Sequence, residues 1–370
     1  WFLPHFEKML YDQAMISIAY LEAYQLTRKN EYADVAIEIF SYVLRAMQNK
    51  EGGFYSAEDA DSEGEEGTFY IWEEDEIIKT LGNEIGILIS KVYGFSKTGN
   101  FFDEATGETN GKNIPHLNKN LELIAEDLNL PLDSLNKVIQ SSREKLFQIR
   151  DKRIHPLKDD KILTDWNGLM IAALALGGIV LDNEIYLKAA ENASKFILSE
   201  LQENNGRLLK RFRKGEAGLP PHIDDYSFMI WGLLNLYEAT SNTKYLTNAI
   251  SLSEIMVEDF TDDNGGFFIG SKNAEKLMVR AKDSYDGAIP SGNSVAVLNF
   301  FRICKITGNK KWITIANKTL KAFTMQAKKS LPGFTHMMTG FMFDLKNPKE
   351  LVIVLDSNNH DYKQIIKQIR

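Results

Sequence analysis

Two kinds of helix alternate along this chain. In the first kind apolar residues occupy almost every position, as in Met9 to Leu26, Leu169 to Leu181, Phe228 to Tyr237 and Val295 to Ile306. A helix of that pattern is buried on all sides. In the second kind the polar residues form a single stripe. It runs Glu31, Asp34, Glu38, Ser41, Arg45, Gln48 in one copy and Glu184, Lys188, Glu191, Lys195, Ser199 in another. Such a stripe predicts a helix with one solvent face.

The alternation is a repeat. Between the two helices of each unit lies a turn at Asn30, Asn183, Asn242 or Asn309, followed by Tyr32, Tyr186, Tyr245 or Trp312. Asn at such a turn tolerates a left-handed backbone and can cap the next helix. Ahead of each apolar helix sits a polar and aromatic cluster: Tyr11-Asp12, Asp165-Trp166-Asn167, Asp224-Asp225-Tyr226 and Ser291-Gly292-Asn293. After each striped helix comes a glycine turn, at Gly52-Gly53, Gly206, Gly265-Gly266 and Gly333. The spacing from cluster to aromatic to glycine is nearly constant through all four copies. Inner helices returned by outer helices predict an all-α toroid, one domain over residues 1–370, with short β-hairpins at its mouth.

A less regular fifth unit is expected from Glu73 to Tyr93 and Leu132 to Lys152, with Gly94 to Asn120 as an excursion between them. Thr335 to Leu345 reads as a short apolar helix and Leu351 to Leu355 as a strand. A sixth hairpin is expected upstream of Trp1, unless Thr335 to Leu345 fills the gap. The chain has no initiator methionine and reads as the continuation of a longer protein.

Composition narrows the function. The net charge of −8 without a basic patch argues against a nucleic-acid partner. One cysteine, Cys304, excludes an internal disulfide and suits a reducing, cytoplasmic setting. No apolar run reaches the roughly 18 residues of a membrane span. No His/Cys spacing suggests zinc, no phosphate loop or dinucleotide fingerprint is present, and no metal or cofactor is expected.

Inner helices that all run one way bring their N-termini, with unpaired N–H groups and partial positive charge, to one mouth. The residues expected there are His5, Tyr11, Asp12, the Glu58 to Glu66 loop with Glu58, Asp59 and Asp61, Trp166, Asn167, Asp225, Tyr226, Asp286, Ser291 and Asn293. Asp and Ser at such places also serve as N-caps. Carboxylates, amides and flat aromatic faces together suit a polyhydroxylated ligand. His5 is the candidate acid/base group because imidazole titrates near neutral pH, with Asp59 or Asp225 beside it. Trp166 and Tyr226 are expected to stack on a sugar, and Asn167 and Asn293 to bond its hydroxyls. His155 and His222 lie just before inner helices, His336 begins the short last helix, and His116 and His360 read as surface residues. The acidic loop partly mimics a calcium loop, with Asp59, Asp61, Glu63 and Gly64 in place but Tyr70 where Glu is required. A solvated hairpin turn or a loop aiming one carboxylate into the mouth are its other readings.

Several motifs carry a resemblance. They are Pro4-His5-Phe6-Glu7-Lys8-Met9-Leu10-Tyr11-Asp12, Tyr55 to Gly64, Asp160 to Thr164 with Trp166 to Met170, Asp224-Asp225-Tyr226, and Pro290 to Ser294. Across nearly the whole chain they resemble the thioredoxin-domain-containing family related to spermatogenesis-associated protein 20. The resemblance implies an N-terminal thioredoxin-like domain, absent here, followed by an (α/α)6 barrel similar to N-acylglucosamine 2-epimerase and six-hairpin glycosidases. It implies carbohydrate metabolism by epimerase, isomerase or glycosidase-type chemistry on a sugar-like ligand. The alternative is a non-catalytic binding module accompanying the redox domain.

Overall fold

The computed structural model describes residues 3–102, 109–275 and 278–346; Leu351 to Leu355 and His360 lie outside them. In chain order the α-helices are α1 (Leu10–Thr27), α2 (Asn30–Tyr42), α3 (Glu74–Leu81), α4 (Asn83–Val92), α5 (Leu121–Asp127), α6 (Leu132–Arg150), α7 (Thr164–Val180), α8 (Glu184–Glu200), α9 (Ile223–Thr240), α10 (Thr243–Phe260), α11 (Gly292–Thr307), α12 (Lys310–Lys329) and α13 (Thr335–Leu345). The named strands are two or three residues long. Where the sequence suggests one domain, the chain divides into two compact units. One holds the residues up to Lys8 and Glu58–Asp159; the other holds Met9–Ala57 and the residues from Asp160 onward.

The larger unit is the helical ring. The inner helices α1, α7, α9, α11 and α13 pack each against the next, and α2, α8, α10 and α12 back them from outside. Every residue of α7 from Asn167 to Ala175 is buried, as an apolar-all-round sequence requires. Tightest is the α7–α9 contact, and glycine sets it. A Cβ on Gly168 would meet the Phe228 carbonyl carbon at 2.5 Å, and one on Gly232 would meet the Gly168 oxygen at 2.8 Å. Large side chains such as Trp312, Phe40 and Phe300 are fully buried, each stabilising the fold by about 1.5–3 kcal/mol.

The repeated turns follow one local plan. The inner helices end at residues in the left-handed region: Arg28, Asp182, Ser241 and Gly308. The asparagine that follows caps the outer helix. Asn183, Asn242 and Asn309 accept the backbone N–H two residues on. The glycine turns also match. Gln48 bridges Phe54, Gln202 bridges Leu208 and Thr261 bridges Phe267. Gly52, Gly206 and Gly265 take φ of +110°, +85° and +95°, which disfavours any side chain.

The irregular fifth unit does not enter the ring: α1 packs directly on α7, and α13 supplies the fifth inner helix. Residues 73–152 instead belong to the smaller unit, where Trp72, Ile77, Leu81, Ile89, Val92, Ile124, Leu135 and Ile139 form a separate core. The expected helix from Glu73 to Tyr93 is broken at Gly82, whose φ of +86° and ψ of +158° cannot continue a helix. Arg153 staples this unit. Its guanidinium lies 4.0 Å from the Trp72 ring centroid, bonds both oxygens of Glu76, and donates to the Phe69 and Ile71 carbonyls. The acidic loop is a tight hairpin. Asp61 pairs with Glu66 and Ser62 with Glu65, around Glu63 and Gly64 at φ +57° and +85°, the signature of a two-residue primed turn.

Candidate functional site at the inner-helix mouth

The first turns of α1, α7, α9 and α11 are joined by one run of contacts in the larger unit. Tyr11 meets Trp166 edge to face, with ring centroids 4.9 Å apart. The Asp165 N–H donates to Asp225 Oδ1 at 3.1 Å, and the His222 N–H donates to Asp225 Oδ2 at 2.7 Å. Lys210 Nζ stands 2.8 Å from Asp165 Oδ2 and 3.5 Å from Asp225 Oδ1. Asp224 carries the run on to α11, accepting a backbone hydrogen bond from Gly292. A Cβ on Gly292 would lie 2.4 Å from Asp224 Oδ1, so the carboxyl occupies the space glycine leaves.

Three carboxyls and one ammonium, largely withdrawn from solvent, set the electrostatics. Burial drives Asp225 well above the usual carboxylate range, and the neighbouring Asp165 adds to this against the pull of Lys210. Burial and Asp165 push Asp224 up to about 6. Burial pulls Lys210 down, but Asp225 and Asp165 more than offset it and the net shift is upward. Burial and Lys210 lower His222. Asp224, raised toward neutral pH, is a suitable general acid or base.

Several residues expected to face a ligand are instead committed to the backbone. Asn167 is fully buried. Its Oδ1 accepts the Phe54 N–H at 2.8 Å, and its Nδ2 donates to the carbonyls of Phe54 and Leu163. Asn293 repeats this on Phe267, and its Nδ2 also reaches the Asp283 carbonyl. Tyr226 Oη accepts the Leu208 N–H at 3.0 Å, and its buried ring is unavailable for stacking. All three hold the residue just beyond a glycine turn. The polar cluster recurs in the sequence because α7, α9 and α11 each pin the turn before them. Ser291 caps α11 through the Ser294 N–H. Asp286 accepts the N–H groups of Ser291, His336 and Met337, tying α11 to α13.

His5, Glu58, Asp59 and Asp61 belong to the smaller unit, whereas Tyr11, Asp12, Trp166 and Asp225 belong to the larger. His5 is exposed and bonds Glu7 at 3.3 Å. Asp59 is exposed and accepts the Asp61 N–H. Glu58 is buried and accepts the Tyr70 hydroxyl at 2.7 Å.

Sequence reasoning assigned no role to Asp165, Lys210 or Asp224. It also passed over a polar line on α9: Asp224, Trp231, Asn235 and Glu238, spaced seven, four and three residues apart and so on one face. Arg302 of α11 donates to Asn235 and Glu238, both at 2.8 Å. His336 of α13 lies 5.1 Å from Trp231, ring to ring, and burial lowers it to about 4. A period of 3.6 applied to polar residues, rather than apolar ones, would have found this line. Among the described residues no group of three or more His, Cys, Asp or Glu is arranged to hold a metal ion, and no helix is long and apolar enough to cross a membrane.

Comparison with known proteins gives three kinds of likeness. The chain is 34% identical over 395 residues to spermatogenesis-associated protein 20 of Homo sapiens and to that of Rattus norvegicus, an alignment covering 99% of this chain and 50% of each relative. It therefore spans about half the length of those relatives. The model of glycosyl hydrolase family 47 matches residues 229–358. In structure the chain is similar to a GH76 α-mannanase of Bacteroides thetaiotaomicron, with TM-score 0.53, 14% identity, and coverage of 92% of this chain and 70% of that one. It is likewise similar to the cellobiose 2-epimerase of Spirochaeta thermophila, with TM-score 0.53, 8% identity, and coverage of 88% and 61%. These structural likenesses show the ring of helical hairpins.

Proposed function

We propose that this chain, homologous over its full length to spermatogenesis-associated protein 20, binds a sugar-like, polyhydroxylated ligand at the mouth of its helical ring and acts on it by acid–base chemistry. The observation that carries this reading is Asp224. Its carboxyl sits at a helix start, with burial and Asp165 raising it to about 6, beside Lys210 and linked through Asp165 to the Tyr11–Trp166 pair. One ring of this edge-to-face pair offers a flat face for a sugar ring. Asp224 is the proton donor, and Asp165, held ready by Lys210, is the second carboxyl. Glycoside hydrolysis needs such a pair, and it is the chemistry these side chains support best. Asp225, Asn167, Tyr226, Ser291, Asp286 and Asn293 position the surface rather than touch the ligand.

One observation favours a second reading, a binding module without turnover: most polar groups at the mouth are spent on backbone, leaving one carboxyl that titrates near neutrality. In a longer protein the module would accompany a thioredoxin-like domain in the cytoplasm, as the motif resemblance implies. The test is calorimetry and turnover with mannose, cellobiose and a nitrophenyl α-mannoside. Wild type should bind at least one, and Asp224→Asn should keep binding but lose turnover. Binding that survives with no turnover in either protein selects the binding module. No binding of any sugar by wild type defeats both readings.

A further inference from the structure

The smaller unit holds a second group of reactive side chains, built from motifs that the ring does not use. Lys8 ends the Pro4-His5-Phe6-Glu7-Lys8 run, and Glu58 opens the acidic loop. Lys8 Nζ donates to the Phe6 carbonyl at 2.8 Å and to Tyr70 Oη at 2.6 Å, and lies 3.8 Å from the Tyr70 ring centroid. Tyr70 Oη in turn donates to the buried Glu58 Oε1 at 2.7 Å. Arg150 flanks the same ring, its guanidinium carbon 5.3 Å from the centroid.

The partners of Lys8 are unusual for an ammonium. A lysine that leaves bulk water commonly does so against a carboxylate, which holds the proton on. Both hydrogen-bond partners of Lys8 are uncharged: a carbonyl and a phenol. Losing the proton therefore breaks no ion pair. Burial lowers Lys8 to about 8, Glu58 partly offsets this, and Arg150 adds to it. An amine with its lone pair free near neutral pH is a nucleophile toward carbonyl carbon, and the Tyr70–Glu58 chain is a ready proton path.

We propose that Lys8 is a nucleophilic amine that condenses with an aldehyde, such as an open-chain aldose, with Tyr70 and Glu58 relaying protons. The nitrogen lone pair attacks the aldehyde carbon, forming a C–N bond as the C=O electron pair moves to oxygen. Nitrogen sheds two protons in turn through Tyr70 to Glu58. The first returns to the alkoxide oxygen and gives a carbinolamine; the second returns to its hydroxyl, which leaves as water as the nitrogen lone pair forms the C=N bond of the imine. This site is independent of the mouth of the ring, so either can fail without the other.

The test is reductive trapping on the full chain with glycolaldehyde and cyanoborohydride, read lysine by lysine by peptide mass spectrometry. Lys8 should be alkylated faster than exposed Lys29 at pH 7.5, by on the order of tenfold or more, and its rate should rise through a midpoint near 8. Tyr70→Phe, with unfolding temperature kept, should slow trapping at Lys8 alone. Glu58→Gln should move the midpoint below that of wild type, because the carboxylate that favours the ammonium is gone, yet slow trapping by removing the proton acceptor. A merely packed lysine gives neither split. Labelling of Lys8 no faster than of Lys29, or a midpoint above 10, overturns the proposal. Unchanged trapping in both variants overturns the relay.

Discussion

Replacing Asn167 by alanine tests the clamp that explains the repeat. The side chain is fully buried and makes three hydrogen bonds to main chain: one from the Phe54 N–H and two to the carbonyls of Phe54 and Leu163. Alanine leaves one buried donor and one or two buried acceptors without partners, each costing about 1–3 kcal/mol. Water entering the vacated space recovers part of that. The net expectation is a loss of about 2–4 kcal/mol, a fall of roughly 5–10 °C in the unfolding temperature of the larger unit. Asn167→Asp is the sharper variant. It keeps shape and acceptor but turns an oxygen toward two carbonyls, so it should be at least as destabilising above pH 5. Differential scanning calorimetry on both variants supplies the measurement. If alanine changes the unfolding temperature by less than 1 °C, the clamp holds nothing and the cluster needs another explanation.

Gly292→Ala should cost about 1–3 kcal/mol by overpacking, because the added methyl meets Asp224 Oδ1 at 2.4 Å and Ile223 Cγ2 at 2.9 Å; chemical denaturation checks it. Arg207→Met should cost about 2–4 kcal/mol, since it strips a two-point ion pair from Asp259, which is 2% exposed; the loss should be visible as a lower urea midpoint. Asp224 binds its proton more tightly folded than unfolded. Between about pH 4 and 6 the native state thus holds more protons, and stability should fall as pH rises through that window. Asp224→Asn should flatten that slope in a pH series of unfolding temperatures, and an unchanged slope would assign it to other groups.

Hydrophobic patterning is enough to specify the ring. Apolar-all-round and single-striped helices can satisfy their faces only as inner and outer layers. The asparagine and glycine turns record backbone conformations that few other residues adopt, so hairpin order and helix direction were legible. Their local chemistry was legible too: Ser291 as a cap, and a hairpin turn as one reading of the acidic loop. Which polar residues are free depends on contacts made in the folded chain. Asn167, Tyr226 and Asn293 look like ligand groups in a linear reading because they are polar, aromatic and periodic. Their partners, Phe54, Leu208 and Phe267, lie between 18 and 113 residues away, and the repeat marks that these positions recur without marking which backbone group each one pairs with. For the same reason the structure alone assigned residues 73–152 to the smaller unit and joined Lys210 to Asp165 across 45 residues. Helical periodicity comes from the backbone and is written locally. The state of a carboxyl comes from whatever the completed fold brings against it.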